Sequence, residues 1–134
     1  MNYIYIFLPI VAWGVAGTIK FFLNYVRFGN EAIARIGNGG FPSTHTTVVS
    51  SAVMLIGFKN GFDNPVFSLG MAMLIITVID ALGLRRTLGK HAQVLNRIAP
   101  TETKLRESQG HNFYEVLGGL LLGTIMGYIV SMMR

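Results

Sequence analysis

Apolar residues in this chain gather in four long runs, and the polar residues between them carry equal information. Met1 to Ile19, Phe41 to Phe58, Asn64 to Ile79 and Val116 to Met133 contain no Asp, Glu, Lys or Arg. A membrane-crossing helix needs about 20 predominantly apolar residues, with about 17 as the lower bound. The first and last runs meet that length, and the third does so if it continues past Asp80 to Leu84. The second is the weakest, since Ser43, Thr44, His45, Thr46 and Thr47 occupy its first turns. The pattern predicts spans at about 3–26, 43–59, 64–84 and 112–133. The expected fold is an all-α integral-membrane bundle of about four transmembrane helices plus short interfacial helices.

The connections differ in kind. The first, 27–42, holds a short helical segment from Glu31 to Ile36, stopped by Gly37-Asn38-Gly39-Gly40 and Pro42. The second, Lys59 to Pro65, is a tight polar turn, while the third, Arg85 to Gly110, is long. Within it Leu88 to Ile98 reads as an amphipathic helix, broken by Pro100-Thr101-Glu102. No internal repeat is visible.

Composition agrees with a membrane protein. A hydrophobic content of 51%, a charged content of 13% and a mean hydropathy of +0.51 are wrong for a soluble domain. At 134 residues the chain is expected to form a single domain, 1–134. The absence of cysteine excludes disulfides, thiolate metal sites and a cysteine nucleophile. The N-terminus lacks a basic n-region and a small-residue cleavage pattern, so the first run is expected to persist as a span.

Charge adds sidedness. Lys20, Arg27, Arg35, Arg85, Arg86, Lys90, Arg97, Lys104 and Arg106, nine of the eleven basic residues, lie in or beside the first and third connections. The positive-inside rule places that side in the cytoplasm and both termini outside. The net charge of +5 has no soluble basic face to carry it. A lipid phosphate at the bilayer surface is therefore the expected partner, and nucleic acid is not.

The candidate chemistry falls on the same side. Lys20, between Ile19 and Phe21, costs roughly 2.5–3.5 kcal/mol at a span centre on insertion scales. Snorkelling to the head groups is its ordinary explanation. Arg27 follows six residues after the intervening Phe21, so both cations can share a helix face. Ser43 and Thr44 read as a helix N-cap, and the same geometry makes an anion site of backbone N–H groups. A lone histidine such as His45 is usually a satisfied interfacial residue. A second, His111, stands one helical turn before Glu115, at a spacing suited to a carboxylate orienting an imidazole. Asp80, an acid within a span, needs Arg85, Arg86 or Lys20 as its partner. The histidine spacing is not that of a zinc site and the surrounding cations repel metal, so no metal or cofactor is expected. Gly118, Gly119, Gly123 and Gly127 form a close-packing stripe, and the Gly119/Gly123/Gly127 face is a candidate homo-oligomer contact.

In order along the chain these residues resemble the type 2 phosphatidic acid phosphatase and vanadium haloperoxidase superfamily. Its pattern is Lys-x6-Arg-Pro, then Pro-Ser-Gly-His, then Ser-Arg-x5-His-x3-Asp. Lys20-x6-Arg27, Pro42-Ser43-Thr44-His45 and His111-x3-Glu115 match the three parts. The wording Gly-Gly-Phe-Pro-Ser-Thr-His, Asp80-x-x-Gly83-x-Arg85-Arg86-x-x-Gly89-Lys90 and Gly-His-x-x-x-Glu-Val-Leu is similar to the small divergent bacterial and plastid branch. Phe28, Thr44 and Glu115 replace the pattern's proline, glycine and aspartate. Leu105 stands where the third part has arginine, with Arg106 one place out of register.

The resemblance implies a metal-independent lipid phosphate phosphatase of the bacterial inner membrane, and the positive-inside count is what puts its site on the cytoplasmic side. It implies that His111 attacks phosphorus, that Glu115 fixes the His111 tautomer, and that His45 protonates the leaving alcohol and then activates water. Lys20, Arg27, Arg85 or Arg86, and the backbone near Ser43 and Thr44 would hold the phosphoryl oxygens. Polyprenyl phosphate, phosphatidate and phosphatidylglycerol phosphate fit equally. The alternative is a non-catalytic lipid-phosphate binding or carrier protein.

Overall fold

The computed structural model describes residues 3–35, 39–99 and 103–133. Among these every regular element is helical: α1 (Ile4–Phe28), α2 (Thr44–Asn60), α3 (Pro65–Leu82), α4 (Leu84–Ile98) and α5 (Phe113–Ser131), with a 3-10 stretch, Gly29–Arg35, after α1. The expected glycine turn at residues 36–38, the break at 100–102 and the Arg35 side chain lie outside the described residues.

Three stretches among the described residues are long and apolar enough to cross a membrane: Ile4–Ile33, Pro65–Ile98 and Phe113–Ser131. The remaining expected span is α2, and it has a different place. It lies against α1, α3 and α5, with Thr46, Thr47, Ser50, Ser51, Val53, Leu55 and Gly57 buried. The buried hydroxyls of Thr46, Thr47, Ser50 and Ser51 face protein, where each finds a hydrogen-bond partner. Thr47 Oγ1 donates to the Ser43 carbonyl at 2.9 Å, Ser51 Oγ to Val48 at 2.8 Å, and Ser50 Oγ lies 3.3 Å from the Thr47 and Gly119 carbonyls. In a medium without water, an unmade hydrogen bond of this kind costs several kcal/mol, so the bonding is a condition of burial.

The glycine stripe of α5 makes that burial fit. A Cβ built on Gly119 would stand 2.6 Å from the Ser43 carbonyl oxygen, and one on Gly123 2.6 Å from that of Thr47. At Gly127 it would meet Leu55 N and Ser51 O at 2.9 Å. Small residues let helix backbones close to direct contact in lipid. The stripe therefore packs α2 of the same chain, and a second copy would need another face.

Helix ends are set locally. Asn64 accepts from Val66 N at 2.8 Å ahead of Pro65. Asn112 and Glu115 form a reciprocal capping box on α5. The amphipathic helix expected from Leu88 begins earlier, at Leu84, because only Gly83 separates it from α3. Thr87 N closes its first turn on the Gly83 carbonyl at 3.1 Å. Arg85 and Arg86 thus ride on a helix start.

The bundle has two unlike ends. Phe58, Phe62, Phe67 and Tyr128 form a chain of edge-on ring contacts, with centroids 5.1–5.4 Å apart, at the end of α2. Tyr5 donates to Asn60 at 2.6 Å and Lys59 to the Met133 carbonyl at 3.2 Å beside them. The opposite end gathers the starts of α2 and α5 and the ends of α1 and α3.

Gly123→Val is expected to lower the thermal midpoint in detergent by an amount equivalent to about 1–3 kcal/mol or more, the range for overpacking. Gly14→Ala, whose added Cβ meets nothing within 4 Å, should leave the midpoint unchanged or raise it, since alanine favours helix. Equal melting curves for Gly123→Val and the parent would refute the close packing of α2 on α5.

Candidate functional site

Four segments meet at the polar end. α1 contributes Lys20 and Asn24, four residues apart and on one face. The start of α2 contributes Thr44 and His45, and α4 contributes Arg85. The fourth is an extended strap, residues 103–112, ending in His111. Its route is closely held. Leu105 N donates to the Asn96 side chain at 3.0 Å, and Asn96 Nδ2 donates to the Leu105 carbonyl and to Glu107. Gly39 N donates to the Ser108 carbonyl, and His111 N to the Ala81 carbonyl, each at 3.0 Å. Gly110 turns the strap with φ +81°, where a Cβ would stand 2.7 Å from Arg86 N, so only glycine fits.

A cavity of about 840 Å³ opens between these segments. Lys20, Thr44, His45, Arg85, Arg106 and His111 all line it. A second cavity, about 330 Å³, is lined by Arg27, Arg86 and Glu115. The two share Asn24, Gly39, Gln109, Gly110 and His111. His111 therefore stands at their junction.

His111 is 7% exposed, and neither ring nitrogen has a hydrogen-bond partner among the described residues. Burial, then Lys20, His45 and Arg85, push its imidazole down to about 4. It is neutral at ordinary pH, with a nitrogen lone pair at the cavity wall. Leaving a buried polar atom unpaired costs about 1–3 kcal/mol, so its presence in a folded protein asks for a functional reason. Arg85 is held from behind, its Nε donating to Asp80, while Nη1 lies 3.4 Å from His45 Nε2. Of the three partners open to Asp80, Arg85 is the one used. The first N–H groups of α2 also point toward this end, since Ser43 gives α2 no side-chain cap.

Several expected roles change. Glu115 does not bond to His111: its carboxylate accepts from Asn112 N at 3.0 Å, in the capping box. Ser43 is fully buried and lines neither cavity. Its hydroxyl is 2.8 Å from that of Thr46, and its N–H donates to the Glu115 carbonyl at 2.8 Å. It serves packing, and its N–H is already used. Arg27 and Arg86 belong to the smaller cavity and Arg85 to the larger. Arg106, set aside as out of register, lines the larger one, because an extended strap with a glycine turn does not preserve motif spacing. Asn24 could have been found from its helical spacing to Lys20; Gln109 left no signal. Among the described residues no group of three or more His, Asp and Glu side chains is placed to hold a metal ion.

The chain is similar to a Bacillus subtilis (strain 168) protein described as the uncharacterized membrane protein YuiD, with 27% identity over 112 residues, covering 69% of this chain and 71% of that one. No solved structure matches it. With the apolar helices, this similarity supports an integral membrane protein. The profile of the Divergent PAP2 family matches residues 1–126, and the chain belongs to that family.

Proposed function

We propose that the chain is a metal-independent membrane phosphatase that hydrolyses a lipid phosphate monoester through a phosphohistidine at His111. One observation carries this reading: two histidines and three cations from four separate segments line one cavity, and the buried histidine among them has no hydrogen-bond partner among the described residues. Phosphoryl transfer is mainly positioning and charge stabilisation. Lys20, Arg85, Arg106 and the α2 N-terminus supply positive charge for the phosphoryl oxygens. A His111 nitrogen lone pair forms the N–P bond as the P–O bond to the lipid alcohol breaks, and His45 gives that oxygen its proton. Water then attacks phosphorus, its proton passing to His45, and the N–P bond breaks to release phosphate and neutral His111. Arg85 takes the part left open between Arg85 and Arg86, Arg106 stands in the larger cavity in place of Arg27, and Glu115 acts on the site through the backbone it caps. The substrate remains a class, with polyprenyl phosphate and phosphatidate as representatives.

The rival reading is a lipid-phosphate binding or carrier protein. Its support is that, among the described residues, no carboxylate bonds to His111 to orient it. The bacterial inner membrane with a cytoplasmic site completes the proposal, on the strength of the nine basic residues in or beside the first and third connections.

His111→Ala should abolish phosphate release from lipid phosphates, a fall of at least a thousandfold, while vanadate binding is retained because the cations remain. Turnover within tenfold of the parent would remove the covalent mechanism. A parent inactive on every lipid phosphate in a detergent panel would favour the binder.

Stability should also report His111. Its imidazole titrates at about 4 when folded and near 6.5 when unfolded, so the unfolded chain takes up the proton first. The contribution is full above about 6.5 and is lost as pH falls toward 4. Melting curves across this range should show a shallower decline for His111→Asn than for the parent. For topology, Thr103→Cys in this cysteine-free chain should resist an impermeant thiol reagent in intact cells; labelling from outside would reverse the orientation.

A further inference from the structure

The larger cavity extends well beyond what a phosphate needs. Its α1 wall runs from Asn24 past Lys20 and Gly17 to Trp13, roughly 16 Å of helix at 1.5 Å per residue. Trp13 is the tenth residue of a 25-residue helix, so the cavity ends near the middle of the span. Gly14 and Gly17 present bare backbone there. A Cβ built on either meets nothing within 4 Å, whereas one on Gly119, Gly123 or Gly127 strikes α2. The α1 glycines therefore do not serve helix packing; they keep space open. Phe21 and Trp13 flank the same wall and are 41% and 66% exposed, so its outer edge faces hydrocarbon.

We propose that the wall formed by Trp13, Gly14, Gly17 and Phe21 binds the hydrocarbon chain of the phosphate monoester, with Gly14 and Gly17 setting the bulk of chain admitted. This rests on the reading of the adjoining site as one for lipid phosphate. The two cavities then divide the substrate. The chain and its leaving alcohol lie in the larger, beside His45. The smaller one, lined by Arg27, Arg86 and Glu115, adjoins the phosphate end at His111.

Trp13 is the single tryptophan, so its fluorescence reports on the wall directly. Dodecyl phosphate brominated along its chain should quench Trp13 saturably, be displaced by plain dodecyl phosphate, and outcompete brominated dodecanol. Gly17→Leu should lower affinity for dodecyl phosphate relative to inorganic phosphate at least tenfold. It should lower the ratio of kcat/KM for dodecyl phosphate over an aryl phosphate by a similar factor. If Gly17→Leu does not fold, Gly14→Ala and Gly17→Ala, which meet no atoms, should shift both ratios about twofold. Quenching that never saturates, or that brominated dodecanol matches, overturns the groove, as do unchanged ratios. Saturable, head-group-dependent quenching without turnover keeps the groove and overturns the phosphatase; turnover indifferent to chain length does the reverse.

Discussion

Everything at the polar end depends on burying α2, a helix with too many hydroxyls for lipid, at the centre of the bundle. That burial needs an internal acceptor for each hydroxyl and a neighbour without side chains, so that two backbones can touch. The α5 glycines meet the second need, and the Ser50 bond to the Gly119 carbonyl, at 3.3 Å, joins both requirements in one contact. Once α2 is fixed in depth, its N-terminus lies beside the end of α1. Thr44 and His45 then share a cavity wall with Lys20 with no further adjustment.

The strap is the second fixed part, and it is held by different means. It contains no regular structure, so its position comes from Asn96, from close glycine contacts and from the bond of His111 N to Ala81. A Cβ on Gly89 would stand 2.5 Å from the Glu107 carbonyl oxygen, which shows how tightly the strap lies on α4. These contacts bring Arg106 and His111 to the wall of the larger cavity. The cationic character of the site then follows from assembly: one lysine from a span, one arginine from a helix start and one from the strap.

Much of this was legible in the chain, for identifiable reasons. Helix spacing and charge-free runs locate α1, α3 and α5, because lipid imposes long apolar lengths. The motif residues His45 and His111 lie beside helix starts, where neighbours in sequence are neighbours in space, and Lys20 stands out as a charge inside an apolar helix. The role of α2 was only half legible: its polar first turns mark it as unusual, but its central position depends on α5, some 60 residues away. Glu115 and Ser43 are found in a cap and a buried contact, since capping and catalysis favour the same residue types at the same spacing. Arg106 was missed because motif register has no meaning along a strap whose course is set by tertiary contacts.

The bond from Ser43 N to the Glu115 carbonyl, at 2.8 Å, has an evolutionary consequence. It joins the segment bearing His45 to the segment bearing His111 through main-chain atoms alone. Such a latch is blind to side-chain identity, so residues around it can drift without changing the offset between the two imidazoles. Threonine at position 44 and glutamate at position 115, both departures from the wider superfamily pattern, sit next to or on this latch. A lineage built on it can lose most of its recognisable wording and still keep its two histidines in register.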